Sequence, residues 1–200
     1  MTSAGALLAH PIIYRLWQSP FARDKFAPVV AHNDLTRVRR VLDVGCGPGT
    51  NASHFSGCDY VGIDVNPRYI EYARRRYGRK FLVADATRFE VRSGQAFDFI
   101  LLNSFLHHID TENLTRLLMH LCSALTDDGH IHILELVLPE SASLAHLIAK
   151  ADRGGFPRRR QEWHALFSDY FEVVTFEPYT LSAMGIALWH MLYCRGRAKR

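Results

Sequence analysis

The sequence predicts an α/β fold in which a largely parallel sheet is covered by helices on both faces. Two observations carry that prediction. From residue 41 onward, short apolar runs alternate with amphipathic helical periods, and the first run passes straight into a cluster of glycines. A third observation concerns the end of the chain. Only residues 179–185 separate the last two apolar runs, too few for a parallel crossover, so these strands should pair as an antiparallel hairpin at the sheet edge. At 200 residues the chain suits one sizeable core. We therefore expect one domain over 1–200, with a helical lid over 1–38 and the core over 39–200.

The elements follow in order. Leu7, Leu8, Ile12, Ile13 and Leu16 recur at helical spacing, Pro20 closes that segment, and a second helix is expected over 21–32. Residues 41–44, Val-Leu-Asp-Val, form a short strand that should turn through the glycines into a helix. Strand 60–64, helix 68–77, strand 81–84, strand 97–103, helix 112–125 and strand 131–137 come next. In the helix over 112–125, Leu114, Leu117, Leu118, Leu121 and Leu125 make the core-facing stripe. Asp110 or Thr111 can cap its first amides, and Asp127-Asp128-Gly129 reads as the turn that ends it. Helices over 143–152 and 159–167 precede the hairpin strands 171–178 and 186–195.

Composition narrows the class. Apolar residues at 48% and charged residues at 22% are the balance of a packed globular chain. A net charge of +4 and a pI near 9.0 permit an acidic partner without requiring one. The basic runs (37–40, 74–80, 158–160 and 195–200) have the character of solvated faces, so nucleic acid is not the expected partner. Cys46, Cys58, Cys122 and Cys194 show no paired or metal-ligand spacing and are expected to be reduced thiols. The first residues lack a basic leader, and the longest apolar stretch, 183–194, is too short to span a bilayer. A cytoplasmic location is expected.

The chemistry concentrates in residues 41–51, VLDVGCGPGTN. Gly45, Gly47 and Gly49 permit positive φ and let backbone amides approach a ligand. A dinucleotide turn starting at Gly45 would need glycine at position 50, which holds Thr50. Asp43, inside the strand before the turn, suits an ammonium group better than a diphosphate, which counts against NAD. Asp64 ends the next strand in Gly62-Ile63-Asp64, 21 residues beyond Asp43, close to the spacing expected for a carboxylate on ribose hydroxyls. Asp85 ends the strand after that, in Val83-Ala84-Asp85-Ala86. Each acid taken singly could equally be a helix cap or a surface group, but three carboxylates at three successive strand ends point to a ligand.

These segments resemble the class I S-adenosylmethionine (SAM)-dependent methyltransferases of small-molecule type. VLDVGCGPGT is similar to their first motif, GIDVNP to their acidic second strand and VADA to their third motif. FDFILLNSFLHHID resembles the fourth, and LTDDGHIHILE the turn and strand after it. The resemblance implies a Rossmann-like sheet of seven strands in the order 3-2-1-4-5-7-6 with an antiparallel last strand. It also implies SAM as cofactor and S-adenosylhomocysteine (SAH) as product. Asp43, Gly45, Cys46, Gly47 and Gly49 would hold the methionine end, with Asn103 beneath it. Asp64 and Val65 would meet the ribose, and Asp85 and Ala86 the adenine. HPIIYRLWQ looks like the opening helix that closes an aromatic residue over the cofactor, with Tyr14 in that role and Gln18 second to it.

SAM brings an activated methyl, so a base is needed only where the acceptor must lose a proton. His107 and His108, after Asn103 at the mouth of the sheet, are the candidates for base or acceptor contact. Ordering of the loop is the plainer role for the pair. Glu135 is a second candidate, or else a buried acid with a structural partner, and His130 and His132 are expected to pack. Asn103-Ser104-Phe105-Leu106 stands where amino-methylating enzymes of bases and glutamines carry an Asn/Asp-Pro-Pro loop. The reading is therefore a methyltransferase of a small-molecule acceptor, bound by the N-terminal helices and the region around Asp152-Arg153-Gly154-Gly155. An RNA or protein methyltransferase, or a SAM-binding protein without turnover, is the alternative. The acceptor atom and the oligomeric state are not encoded in any motif.

Overall fold

The structure is a computed structural model that describes residues 21–89, 91, 96–151 and 154–199. The helix expected over 7–16, and with it Tyr14 and Gln18, lies outside the described residues. Helix α1 (Ala22–His32) leads to strand β1 (Arg40–Val44). Strand β2 (Asp59–Asp64), helix α2 (Pro67–Tyr77), strand β3 (Lys80–Val83) and strand β4 (Phe97–Asn103) follow. Next come helix α3 (Thr111–Ser123), strand β5 (Leu125–Leu136), helix α4 (Leu144–Ala151) and helix α5 (Arg160–Tyr170). The hairpin β6 (Phe171–Ala183) and β7 (Ile186–Ala198) closes the chain. The seven strands form one sheet in the order β3-β2-β1-β4-β5-β7-β6. β1 to β5 pair in parallel, and β7 runs antiparallel to both β5 and β6. Among the described residues no helix is long and apolar enough to cross a membrane.

The predicted hairpin is present but longer than the hydropathy suggests. β6 runs on to Ala183, opposite Ile186, and the turn is only Met184-Gly185, with φ of 49° and 77°. Positive φ at both central residues matches the right-handed twist of the flanking strands. Pro178 therefore lies inside a strand, opposite Leu192, which is tolerated because β6 is the sheet edge.

Two other expectations are corrected. Helix α3 stops at Ser123, and Leu125 belongs to β5. Asp127-Asp128-Gly129 is not a turn after the helix but an irregularity within that strand: β5 advances from Leu125 to His130 while β4 advances from Phe97 to Phe99. Pairing with the start of β4 outweighs the turn preference of the acidic pair. The glycine cluster of β1 leads into a five-residue 3₁₀ turn, Thr50–His54, and not into a full helix.

Alternation in the strands builds two apolar layers. Leu42, Val44, Ile100, Leu102, Ile131 and Ile133 pack on one face with Leu114, Leu117, Leu118 and Leu121 of α3 and with Trp163 and Phe167 of α5. Fully burying each leucine of that stripe contributes about 1.5–3 kcal/mol. Val41, Phe99, Leu101, Leu134 and Tyr193 pack on the other face with Phe26, Val29, Ile70 and Phe81. Asp110 caps α3 by accepting from Asn113 N, as the sequence allowed. The sheet thus brings the carboxyl ends of β1, β2, β3 and β4 to one edge, where Asp43, Asp64, Asp85 and Asn103 sit.

Candidate functional site

Gly45, Gly47 and Gly49 all have positive φ (67°, 54° and 79°) and reverse the chain directly after β1. At Gly45 a side chain is excluded twice over: the backbone is left-handed, and a Cβ would stand 2.5 Å from Cδ2 of Phe105. The Phe105 ring therefore rests on the loop backbone, which joins the turn after β1 to the turn after β4.

Asp64 fastens that turn from the neighbouring strand. Its Oδ2 accepts from Gly47 N at 2.9 Å and its Oδ1 from Asn66 N at 2.8 Å. Burial pushes the Asp64 carboxyl above its usual range, against the pull of these two N–H groups. Each oxygen keeps a further lone pair for a hydroxyl donor. Val65, 64% exposed, stands beside it as an apolar surface. Asp85 follows β3 and is exposed. Its Oδ1 accepts from Thr87 N and Oγ1 at 3.0 and 2.7 Å, which holds its carboxyl below the usual range. Ala86 beside it is buried. Cys46 is a buried free thiol, pushed far up by burial.

Asp43 lies beneath the loop and not at its surface. It is 0% exposed, accepts from Tyr60 Oη at 2.5 Å, and accepts from Asn51 Nδ2 at 3.1 and 3.3 Å. Asn51 Oδ1 accepts in turn from Asn103 Nδ2 at 3.1 Å. A chain Tyr60–Asp43–Asn51–Asn103 thus runs from the core to the end of β4. Burial pushes the Asp43 carboxyl up to about 6, although the Tyr60 and Asn51 hydrogen bonds pull it down. The folded state then holds this proton more tightly than the unfolded chain. Stability from this group is greatest below about pH 4 and falls as pH rises to about 6, by on the order of 3 kcal/mol in all. Urea unfolding between pH 4 and 7 should show the parent losing stability relative to Asp43→Asn as pH rises. A difference independent of pH would contradict a raised Asp43.

Sequence reasoning left Glu135 between function and structure, and its geometry is now explicit. It is 0% exposed, and its carboxylate accepts hydrogen bonds from the segment after β4 and from its own strand. Oε2 accepts from Leu106 N at 2.8 Å and Phe105 N at 3.2 Å, and Oε1 from Leu136 N at 2.7 Å. Nδ1 of His107 donates to Oε1 at 2.5 Å. Burial raises the Glu135 carboxyl, but the His107 charge and hydrogen bond and the Leu136 and Leu106 amides outweigh it, and the group stays below its usual range. Ser104, just before this clamp, has φ of 52°, unusual for a residue with a side chain.

His107 is 3% exposed and packed under residues 154–156. Phe156 N donates to its carbonyl at 2.9 Å, and a Cβ on Gly154 would lie 2.0 Å from its Cδ2. His108 is exposed, its ring tilted against His107 at 4.2 Å. His132 packs as expected, stacked on Phe99 at 3.7 Å, while His130 accepts from Arg195 and Arg197. Asp152 and Arg153 lie outside the described residues. Asn51 and Tyr60 were missed by the sequence reading, while Gly154, expected in the acceptor region, packs against His107. Asn51, just past the glycines, was the one with a visible signal: a polar side chain two residues after the last tight turn.

The site suits an adenosyl amino-acid ligand on two observations. Position 45 has no room for a Cβ in a turn that presents backbone amides, and Asn103 Oδ1 is buried with no donor among the described residues.

Comparison with known proteins agrees. A family model described as a methyltransferase domain matches residues 14–182. The chain is 28% identical over 166 residues to a trans-aconitate 2-methyltransferase of Methylobacterium radiotolerans, covering 80% of this chain and 59% of that protein. It is 29% identical over 141 residues to a malonyl-[acyl-carrier protein] O-methyltransferase of Enterobacter lignolyticus, covering 69% of this chain and 49% of that one. The chain thus spans between half and three fifths of the length of the curated relatives it matches. Among solved structures, the N-methyltransferase NodS of Bradyrhizobium japonicum, in complex with SAH, aligns with a TM-score of 0.71 at 19% identity. That alignment covers 90% of this chain and 89% of NodS. The 1,6-didemethyltoxoflavin-N1-methyltransferase of Burkholderia thailandensis, also with SAH bound, aligns at 0.68 and 20% identity, over 98% and 89% of the two chains. At these identities the structural likeness shows the shared fold.

Proposed function

The chain belongs to the methyltransferase-domain family, and from that premise we propose that it transfers a methyl group from SAM to a small-molecule acceptor and releases SAH. The observation that carries this reading is the turn after β1, whose three left-handed glycines are tied by Asp64 to the end of β2. Gly45, Cys46, Gly47 and Gly49 would offer backbone to the methionine end, and Asn103 a side-chain acceptor. Asp64 would take the ribose hydroxyls on the lone pairs that Gly47 and Asn66 leave open, with Val65 against the sugar. Asp85 would accept from the adenine amino group beside Ala86. Tyr14 keeps its expected role over the cofactor, outside the described residues.

When bound, SAM supplies a methyl on a positively charged sulfur. What the protein adds is position and the exclusion of water. The acceptor we favour is an acid whose carboxylate oxygen takes the methyl. Such an oxygen would take the methyl on its own lone pair as the carbon–sulfur bond opens and its electrons return to sulfur, so no residue of this chain would have to move a proton. Two observations support this. His107, one of the two candidates for a base, is buried and donates to Glu135, which favours a role in ordering the loop over one as a base. The matched relatives are named for trans-aconitate and for malonyl-[acyl-carrier protein], both acidic compounds. A carboxylate is already ionised at neutral pH and needs no base.

The test has two stages. Calorimetric titration should show SAM and SAH binding and NAD not binding. Turnover to SAH should then follow with di- and tricarboxylic acids and not with phenols or amines. Binding of NAD alone would overturn the cofactor, and turnover confined to amines or phenols would overturn the acceptor.

A further inference from the structure

A buried carbonyl oxygen without a donor is costly, so the one on Asn103 calls for a physical explanation. Its orientation is not a free choice. At neutral pH the Asp43 carboxylate can only accept, so the amide of Asn51 must turn its NH₂ toward Asp43. Asn51 Oδ1 is then left facing Asn103, which must answer with its own NH₂. That leaves Asn103 Oδ1 as the end of the chain, an acceptor fixed by the acid two residues' hydrogen bonds away. Tyr60, which donates to the same carboxylate, anchors the other end in the core.

We propose that Asn51 is a positioning residue for the cofactor's ammonium group: it fixes the Asn103 amide so that its oxygen, and not its NH₂, is offered to that cation. The inference rests on the cofactor reading above. It also shows how Asp43 can favour an ammonium group without touching it. The buried negative charge orients two amide dipoles in series, and the last presents its negative end. Inverting the Asn103 amide would set its NH₂ against the ammonium group and lose the hydrogen bond.

The experiment compares binding of SAH with that of methylthioadenosine, which keeps the adenosine and the sulfur but has no amino acid. Asn51→Ala should weaken SAH about tenfold, the equivalent of one modest hydrogen bond, while changing methylthioadenosine less than about twofold. Asn103→Ala, at a half-buried position, should show the same selectivity, and the double variant should lose no more than the larger single loss. Asn103→Asp in the Asn51→Ala background should restore SAH to within about threefold, because a carboxylate needs no orienting partner to accept. Equal weakening of both ligands, or additive losses in the double variant, would overturn the inference and leave the cofactor reading intact. A parent protein that binds neither ligand would overturn the cofactor reading, and this inference with it.

Discussion

Glu135→Ala should lower the midpoint of thermal unfolding by about 6–20 °C, corresponding to about 3–5 kcal/mol lost on breaking a buried pair. The size follows from what the carboxylate holds. It receives three backbone N–H groups and the Nδ1–H of His107, and is itself 0% exposed. Removing it strands four donors at once, three of them buried. Glu135→Gln keeps one acceptor oxygen but sets an NH₂ against donors, so it should fall between alanine and the parent. His107→Ala should destabilise too, since it leaves the buried carboxylate with its amides but without its counter-charge. Differential scanning calorimetry of the three variants measures the series. A Glu135→Ala protein melting within about 2 °C of the parent would contradict the clamp. The pH dependence has the opposite sense to that of Asp43. The folded Glu135 is held below its usual range, so its contribution is present at neutral pH and is lost as pH falls through that lowered value.

Asp64→Ala should weaken SAH binding by about 100- to 1000-fold. Two hydrogen bonds from ribose hydroxyls to a carboxylate, each at the low end of the roughly 1.5–3 kcal/mol such bonds contribute, account for that range. The same oxygens also hold Gly47 N and Asn66 N, so the variant loosens the glycine turn as well as removing the ribose contact. Asp64→Asn, which keeps one acceptor for Gly47, should lose about tenfold to 30-fold. Titration calorimetry with SAH reads both. An Asp64→Ala protein that binds SAH within threefold of the parent would place the ribose elsewhere.

The parts of the fold set by local rules were legible from the sequence. Periodicity located the strands and helices, and the short 179–185 connection demanded the hairpin. Asp64 and Asp85 were placed at strand ends because each stands where an apolar run stops, and Asp43 one residue before such an end. The resemblance then supplied the strand order that the sheet shows. Errors fell where a local preference met a long-range pairing. Asp127-Asp128-Gly129 has the composition of a turn, but β4 holds it within a strand.

Side-chain partners were not legible, for a similar reason. Glu135 and His107 are 28 residues apart, and nothing in either local sequence records that β5 runs beside the turn after β4. Asp43 could be assigned to a strand, but whether it faced the ligand or Tyr60 depended on the side of the pleat and on parallel registry with β2. Sequence alone therefore determined the class of ligand through a glycine turn and acids at strand ends, because backbone reversal and strand termini are local properties. Tertiary structure decided which of those groups is buried and which side chains meet, Asn51 with Asp43 and His107 with Glu135. Each of those depends on atoms brought together across the sheet, where burial and hydrogen-bond complementarity set the roles.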